Sequence, residues 1–278
     1  MGIKIIADSA CDITKELKKK IGLSLVPLSI SVDGKEIMDD GNLDPKEILR
    51  MMKKSASGPK TSCPSPEDFL KEYQGDESVF VVTISSQLSG SYQSAVLAKM
   101  AELEKKRQKF IHVFDSLSAS VGEMLVSLKI FELAKQNLAE LEIVEKVNAY
   151  IKEMKTLFML DSLDHLIKSG RINKLLGLLA SALSMKPIMG GSEEGTIKLM
   201  EKVRGSKRAF ERLVEMIGEV GGKLDEKILG IAHCNCLKKA EQLKEEVLKR
   251  YSFKDVIIVE MGGAITTYAD EGGIVIAF

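Results

Sequence analysis

Strands and helices alternate through the first half of this chain, and that order constrains the fold more than any other feature. Ser78–Ile84 is a continuous apolar run of strand length (Val79, Phe80, Val81, Val82, Ile84), as expected of a strand buried on both faces of a parallel sheet. A helix is predicted from about Ser91 to Lys106, a strand over Phe110–Phe114, and then two more helices, the last from about Glu142 to Met154. Upstream, Lys4–Ala7 is a short apolar run, and Asp12 caps a helix that carries Ile13, Leu17 and Ile21 on one face. Leu25–Val32 reads as a strand. Ser55–Pro66 reads as a loop between helices opened by Asp44-Pro45-x-Glu47 and Ser65-Pro66-x-Asp68. Parallel strands need crossovers, which the intervening helices supply.

After residue 154 the pattern mixes hairpins with crossovers. Thr156–Leu160 is a predicted strand, Ser162–Lys168 a short helix, and Leu175–Met185 an apolar, buried helix. Lys186–Met189 and Gly195–Val203 form a predicted hairpin, with Ile197, Leu199 and Val203 on one side and Lys198, Met200 and Lys202 on the other. Helices over 206–219 and 237–250 alternate with strands over 227–232, 255–260 and 273–278. The expected fold class is therefore α/β, with two α/β domains. Residues 1–154 form a Rossmann-like domain with a mostly parallel sheet, and residues 155–278 a domain with a mixed sheet and helices.

Charge and residue usage narrow the function classes. Forty Lys+Arg balance forty Asp+Glu over 278 residues, which argues against a protein built to bind nucleic acid or to coat an anionic membrane. No apolar stretch has bilayer length and no signal-peptide core opens the chain, so it is expected to be soluble and cytoplasmic, with transient membrane contact at most. Cys234-Asn235-Cys236 beside His233 invites a metal reading. No second Cys/His pair completes four ligands, so small residues where a strand gives way to a helix are the better account, and no metal or cofactor is expected. Three histidines and no phosphate loop or GxGxxG leave a nucleophilic enzyme or a nucleotide binder with little support. Met154, Met159, Met185, Met189 and Met200 are either ordinary core or the lining of an adaptable apolar tunnel.

Hydroxyl side chains gather at the carboxyl ends of the predicted strands, where open α/β sheets bind ligands. These are Asp8-Ser9, Thr83-Ile84-Ser85-Ser86-Gln87-Leu88-Ser89-Gly90-Ser91 and Asp115-Ser116, with Lys60-Thr61-Ser62-Cys63-Pro64-Ser65-Pro66 adding more. The Ser85–Ser91 turn follows a buried strand and opens a helix. It is either an anion site or an ordinary serine N-cap. It holds no Lys, Arg or His, so an anion there would be a carboxylate rather than a triphosphate.

In this order the segments resemble the DegV family of bacterial fatty-acid-binding proteins, which includes lipid-carrier subunits of the fatty acid kinase system. Further marks of the resemblance are Ile6-Ala7-Asp8-Ser9-Ala10-Cys11-Asp12, Val26-Pro27-Leu28, Phe114-Asp115-Ser116, Lys168-Ser169-Gly170-Arg171-Ile172, Met185-Lys186-Pro187-Ile188 and Lys202-Val203-Arg204, and it covers the whole chain. It implies one long-chain fatty acid (C14–C18, palmitate-like) buried between two domains and presented to a partner kinase, with no catalysis by the carrier itself. The resemblance then places the carboxylate against Thr61 and Ser62 and the turn of Ser86, Ser89, Gly90 and Ser91, with Ser86 and Ser91 the leading serines, and maps the family's Lys-Val-Arg arginine onto Arg204. Tyr268 stands where many relatives carry histidine. Its phenol can donate a hydrogen bond but carries no positive charge. Cys63 replaces a polar amide. The competing functions are a serine-dependent hydrolase or acyl/phosphoryl transferase, and a lipid-sensing regulator that meets its partner through Arg204.

Overall fold

The computed structural model describes residues 2–172, 175, 177 and 185–278. Four strands, β1 (Ile3–Asp8), β2 (Leu23–Val26), β6 (Ser78–Thr83) and β7 (Ile111–Asp115), form a wholly parallel sheet in the order β2-β1-β6-β7. Alternate residues serve opposite faces. Ile6, Val79 and Val81 pack with Phe69, Tyr73, Ala95 and Ala98 on one side, while Ile5, Ala7, Phe80 and Val82 pack toward the helix Val121–Ala134 on the other. Burial of both faces is why Ser78–Thr83 shows no polar alternation.

Strands β8 (Thr156–Met159), β9 (Met185–Gly191), β10 (Ile197–Arg204), β11 (Ile228–His233), β12 (Asp255–Glu260) and β13 (Ile274–Ala277) form a mixed sheet, ordered β10-β9-β8-β13-β11-β12. Only β11 and β12 pair in parallel. The helix Val121–Ala134 lies between the two sheets, touching β1 and β6 on one flank and β11 and β13 on the other. It is therefore buried almost all round, and its sequence has no polar face.

Local departures from the sequence-based expectation have physical causes. The strand expected over Leu25–Val32 is two strands. Pro27 has no N–H to continue a ladder, so β2 stays in the parallel sheet while β3 (Ser29–Val32) turns into a small antiparallel sheet with β4 (Lys35–Met38) and β5 (Pro59–Ser62). The loop expected over Ser55–Pro66 thus contains a strand, with Thr61 opposite Ile30. A bulge between Leu199 and Glu201 alters the side-chain alternation of β10. Ile197 and Leu199 pack toward the inter-sheet core, but Met200 and Val203 both face the core on the other side, so Val203 does not share a side with Leu199. The helix expected over Leu175–Met185 lies mostly outside the described residues, and Met185 opens β9.

Candidate functional site

Two cavities meet between the sheets. One is a cup of about 260 Å³ that carries the hydroxyls of Thr61, Ser62 and Ser89 with Cys63 and Gly90 among apolar residues such as Ala10, Leu28 and Ala264. The other is an apolar cavity of about 110 Å³ walled by Leu117, Phe158, Leu160, Leu166, Ile197 and Val275. Ile84, Leu88, Arg171, Ile265 and Tyr268 line both, so the two adjoin across these five residues, with hydroxyls on one side and hydrocarbon on the other.

Backbone placement explains the cup. Thr61 is held by the β3–β5 ladder, and its Oγ1 lies 2.5 Å from the Tyr268 hydroxyl. Tyr268 rides on the helix Gly263–Ala269, which is too short for periodicity to announce. The Arg171 guanidinium lies 5.4 Å from the Tyr268 ring centre and donates to the carbonyls of Leu88 (3.3 Å) and Ser169 (3.0 Å). The Ser85–Ser91 turn is tied down from both sides. The Ser85 hydroxyl donates to the Gly195 carbonyl (2.7 Å), and the amides of Leu88 and Ser89 return to the Ser85 carbonyl.

The helix that carries Tyr268 is seated on two buried carboxyl groups from the first half of the chain. Asp12 accepts from the Gly262 amide (2.6 Å), and Asp39 from the amides of Gly263 (3.2 Å) and Ala264 (2.8 Å). They take up N–H groups that a helix start leaves without intrahelical partners. The fit is close: a Cβ on Gly263 would lie 2.8 Å from Ile30 Cδ1 and 3.0 Å from Asp39 Oδ1. The Ser120 hydroxyl, on the wall of the apolar cavity, donates to the other Asp12 oxygen at 2.5 Å.

Burial dominates the electrostatics here. It pushes the Asp12 carboxyl up to about 8 and raises Asp39 as well. Asp8 is fully buried and accepts from the amides of Ala10 and Ile84, each at 3.0 Å; burial still pushes it up to about 6. Glu123 is fully buried beside Asp8, neither of its oxygens meets a partner at hydrogen-bond geometry among the described residues, and burial followed by the charge of Asp8 drives it well above the carboxylate range. Burial thus disfavours negative charge on Asp12, Asp39 and Glu123.

Of the residues expected to contact a carboxylate, Thr61, Ser62, Ser89, Gly90 and Tyr268 line the cup. Ser91 lies fully buried behind it, its Oγ 3.1 Å from Ser89 Oγ. Ser86 is exposed outside it, its amide donating to Asp115 (3.2 Å), and Arg204 is exposed at the end of β10, away from both cavities. Sequence reasoning gave Asp12 only a helix-capping role and assigned none to Arg171 or Asp39. All three are ionisable residues beside or within hydroxyl- and glycine-rich stretches, but only the chain's path brings them to the site. The tunnel of methionines is overturned: among the described residues no methionine lines the cavity, and Met159 and Met189 are buried within the sheet cores. Cys234 Sγ lies 3.7 Å from Thr266 Oγ1, and Cys236 Sγ 3.6 Å from the Gly273 carbonyl. His112 packs on Phe114 with ring centres 4.5 Å apart, and burial pushes it down to about 4. Among the described residues no group of three or more His, Cys, Asp or Glu is placed to hold a metal ion, and no helix is long and apolar enough to cross a membrane.

Residues 2–278 match the family described as "Uncharacterised protein, DegV family". A DegV domain-containing protein of Streptococcus pneumoniae is 37% identical over 281 residues, covering 99% of this chain and 98% of that one. A solved DegV-family structure from Ruminococcus gnavus, refined with vaccenic acid, superposes with a TM-score of 0.95 at 40% identity, covering 100% and 99% of the two chains. The Fatty Acid Kinase (Fak) B3 protein of S. pneumoniae, loaded with linoleic acid, superposes with a TM-score of 0.89 at 34% identity, again covering 100% and 99%. The wholly parallel sheet, the mixed sheet beside it and the whole-chain match agree, and the chain belongs to the DegV family.

Proposed function

We propose that this protein binds one long-chain fatty acid, its carboxylate in the polar cup and its acyl chain in the apolar cavity, and presents it to a partner kinase. The observation that carries this is the adjacency of the two cavities, which share five lining residues, one cavity carrying hydroxyls and the other walled mostly by hydrocarbon. Relatives solved with vaccenic and linoleic acids, one of them a fatty acid kinase subunit, support it. A C16 chain buries about fifteen carbons at roughly 0.8 kcal/mol each, on the order of ten kcal/mol before the costs of association. Thr61, Ser62, Ser89 and Tyr268 supply donors to a carboxylate that would otherwise be buried unpaired. Arg171, at the junction of the two cavities, supplies positive charge where Tyr268 cannot.

The cavity of about 110 Å³ is narrower than the roughly 300–1,000 Å³ usual for ligand pockets. Loading therefore parts its walls, and the carrier alternates between a loaded state and one that admits the chain. A hydrolase needs a base beside its nucleophile, and the group bonded to Thr61 is a phenol rather than an imidazole.

The test is organic extraction of protein purified without delipidation, followed by mass spectrometry. Near-stoichiometric C14–C18 fatty acid is expected. An empty extract, together with no uptake of added palmitate, would sink the proposal.

A further inference from the structure

A second cleft, of about 560 Å³, shares no lining residue with the cup or the acyl cavity. Its floor is apolar, with Leu125, Leu128 and Phe278, and its walls carry six lysines against three glutamates, in a chain whose total charge is zero. The pairing is uneven. Lys254 meets Glu132 at 3.5 Å and Lys223 meets Glu226 at 3.4 Å, and all four of these residues are substantially exposed. Lys129, Lys155 and Lys227 are half-buried, yet among the described residues no carboxylate lies within ion-pair distance of any of them. Lys129 and Lys227 instead stand over the rings of Tyr150 (5.6 Å) and Phe278 (6.0 Å). Burial lowers the Lys227 ammonium; Glu153 opposes that and Lys155 adds to it.

Desolvated charges are costly unless paired, and three like charges converging on one concavity repel one another. An anion entering the cleft relieves both costs. The cleft is concave and these three residues are half-buried, which suits a compact ligand better than a flat lipid surface. We propose that this cleft binds a compact phosphate-bearing anion, its charge held by Lys129, Lys155 and Lys227 and its less polar part resting on Leu125, Leu128 and Phe278. Lys155 is rigidly placed for the task, because its amide and carbonyl pair with those of Phe278 at 2.8 and 3.0 Å. The next residue, Thr156, lines the acyl cavity and lies 2.7 Å from the Ser118 hydroxyl, so the two sites adjoin across one peptide.

Calorimetric titration of the full chain with pyrophosphate tests this. Saturable single-site binding is expected, weakening as salt is raised. Lys155→Gln and Lys227→Gln should each lower affinity about ten-fold, as loss of a charge-assisted contact does. Lys155→Arg should retain binding, and thermal unfolding of each variant should stay close to that of the parent. If either glutamine variant does not fold, Lys129→Gln carries the test, with the same ten-fold loss expected. No saturable binding at low salt, or binding undiminished in the glutamine variants, would overturn the proposal. So would binding that appears only with phosphatidylglycerol vesicles, since that would place the phosphate in a lipid headgroup at an open surface.

Discussion

The two ends of the ligand passage are built by opposite means. The cup is made of a few polar atoms, each fixed by a specific partner: Thr61 by Tyr268, Arg171 by two carbonyls, and the Tyr268 helix by Asp12 and Asp39. The apolar cavity is walled mostly by hydrocarbon from β8, β10, β13, the helices Asp164–Lys168 and Gly263–Ala269, and the loops beside them. A hydrogen bond contributes about 1 kcal/mol net and is directional, whereas each buried methylene contributes roughly 0.8 kcal/mol and is not. On the proposed placement, the cup orients the ligand and decides between head groups, while the cavity supplies most of the affinity.

The largest expected effect comes from filling the cavity. Ala269 is 2% exposed and lines it, so Ala269→Phe puts a ring where the acyl chain lies. In the parent, affinity should rise about four-fold for each methylene added between C8 and C16. In the variant that slope should stop early, with C16 affinity down a hundred-fold or more while C8 is little changed. A uniform loss at every chain length, measured by competition against a fluorescent fatty acid, would show that the cup and cavity are not separable.

That division also explains what the sequence could reveal. Thr61, Ser62, Ser89 and Gly90 stand in hydroxyl-rich clusters beside strand ends, and polar residues in such places are visible without a structure. Phe158, Leu160, Leu166, Ile197 and Val275 look like any other core residues, because a cavity wall and a packed core use the same side chains. The parallel sheet was legible from its continuous apolar strands. The position of β5 was not, because Pro59-Lys60-Thr61-Ser62 has no β-branched run and pairs only because Pro27 redirects the preceding strand. Asp12 was legible as a helix cap and turned out to serve another helix: Thr14 caps Lys15–Ile21, and Asp12 reaches Gly262, 250 residues away.

Asp12 touches both regions, the Tyr268 helix through Gly262 and the cavity wall through Ser120, and its titration tests whether they move together. Its folded value of about 8 exceeds its ordinary 3.8, so between those values the folded chain binds more protons than the unfolded one. Its contribution to stability is therefore complete below about pH 4 and is lost as pH rises through 8. Urea unfolding at pH 5, 6.5 and 8 should show the parent losing up to about 1.4 kcal/mol per pH unit through this group. Asp12→Asn stays neutral and should have a flatter profile. Parallel profiles for parent and variant would mean that Asp12 titrates as an ordinary carboxylate, and that the seat of the Tyr268 helix is not sensitive to pH.

Head-group selection should fall more modestly when the cup's donors are removed. Thr61→Val and Tyr268→Phe each delete one hydroxyl with little change in shape. Each is expected to weaken palmitate about ten-fold, the scale of one hydrogen bond to a charged group. Methyl palmitate, which has the same chain and no carboxylate, should bind with unchanged affinity. Because the two hydroxyls bond each other, the double variant should lose less than the product of the single losses. Equal weakening of acid and ester would place these hydroxyls in the scaffold rather than in recognition.

The smallest expected change isolates the shape of the cup. Gly90 has φ −75° and ψ −1°, which alanine adopts without strain, so the glycine is not there for its backbone. A Cβ would instead lie 3.0 Å from Cys63 Sγ, across the cup. Cys63 is exposed and its thiol can swing aside, so Gly90→Ala should fold normally, with stability within about 0.5 kcal/mol of the parent as unfolded-state entropy offsets the crowding. The cup narrows, and palmitate should weaken two- to five-fold while the chain-length slope is kept, since the cavity is untouched. Adding Cys63→Ala removes the obstructing sulfur and should restore the parent affinity. If affinity stays low in the double variant, the added methyl acts on the ligand directly and the carboxylate sits against Gly90 itself.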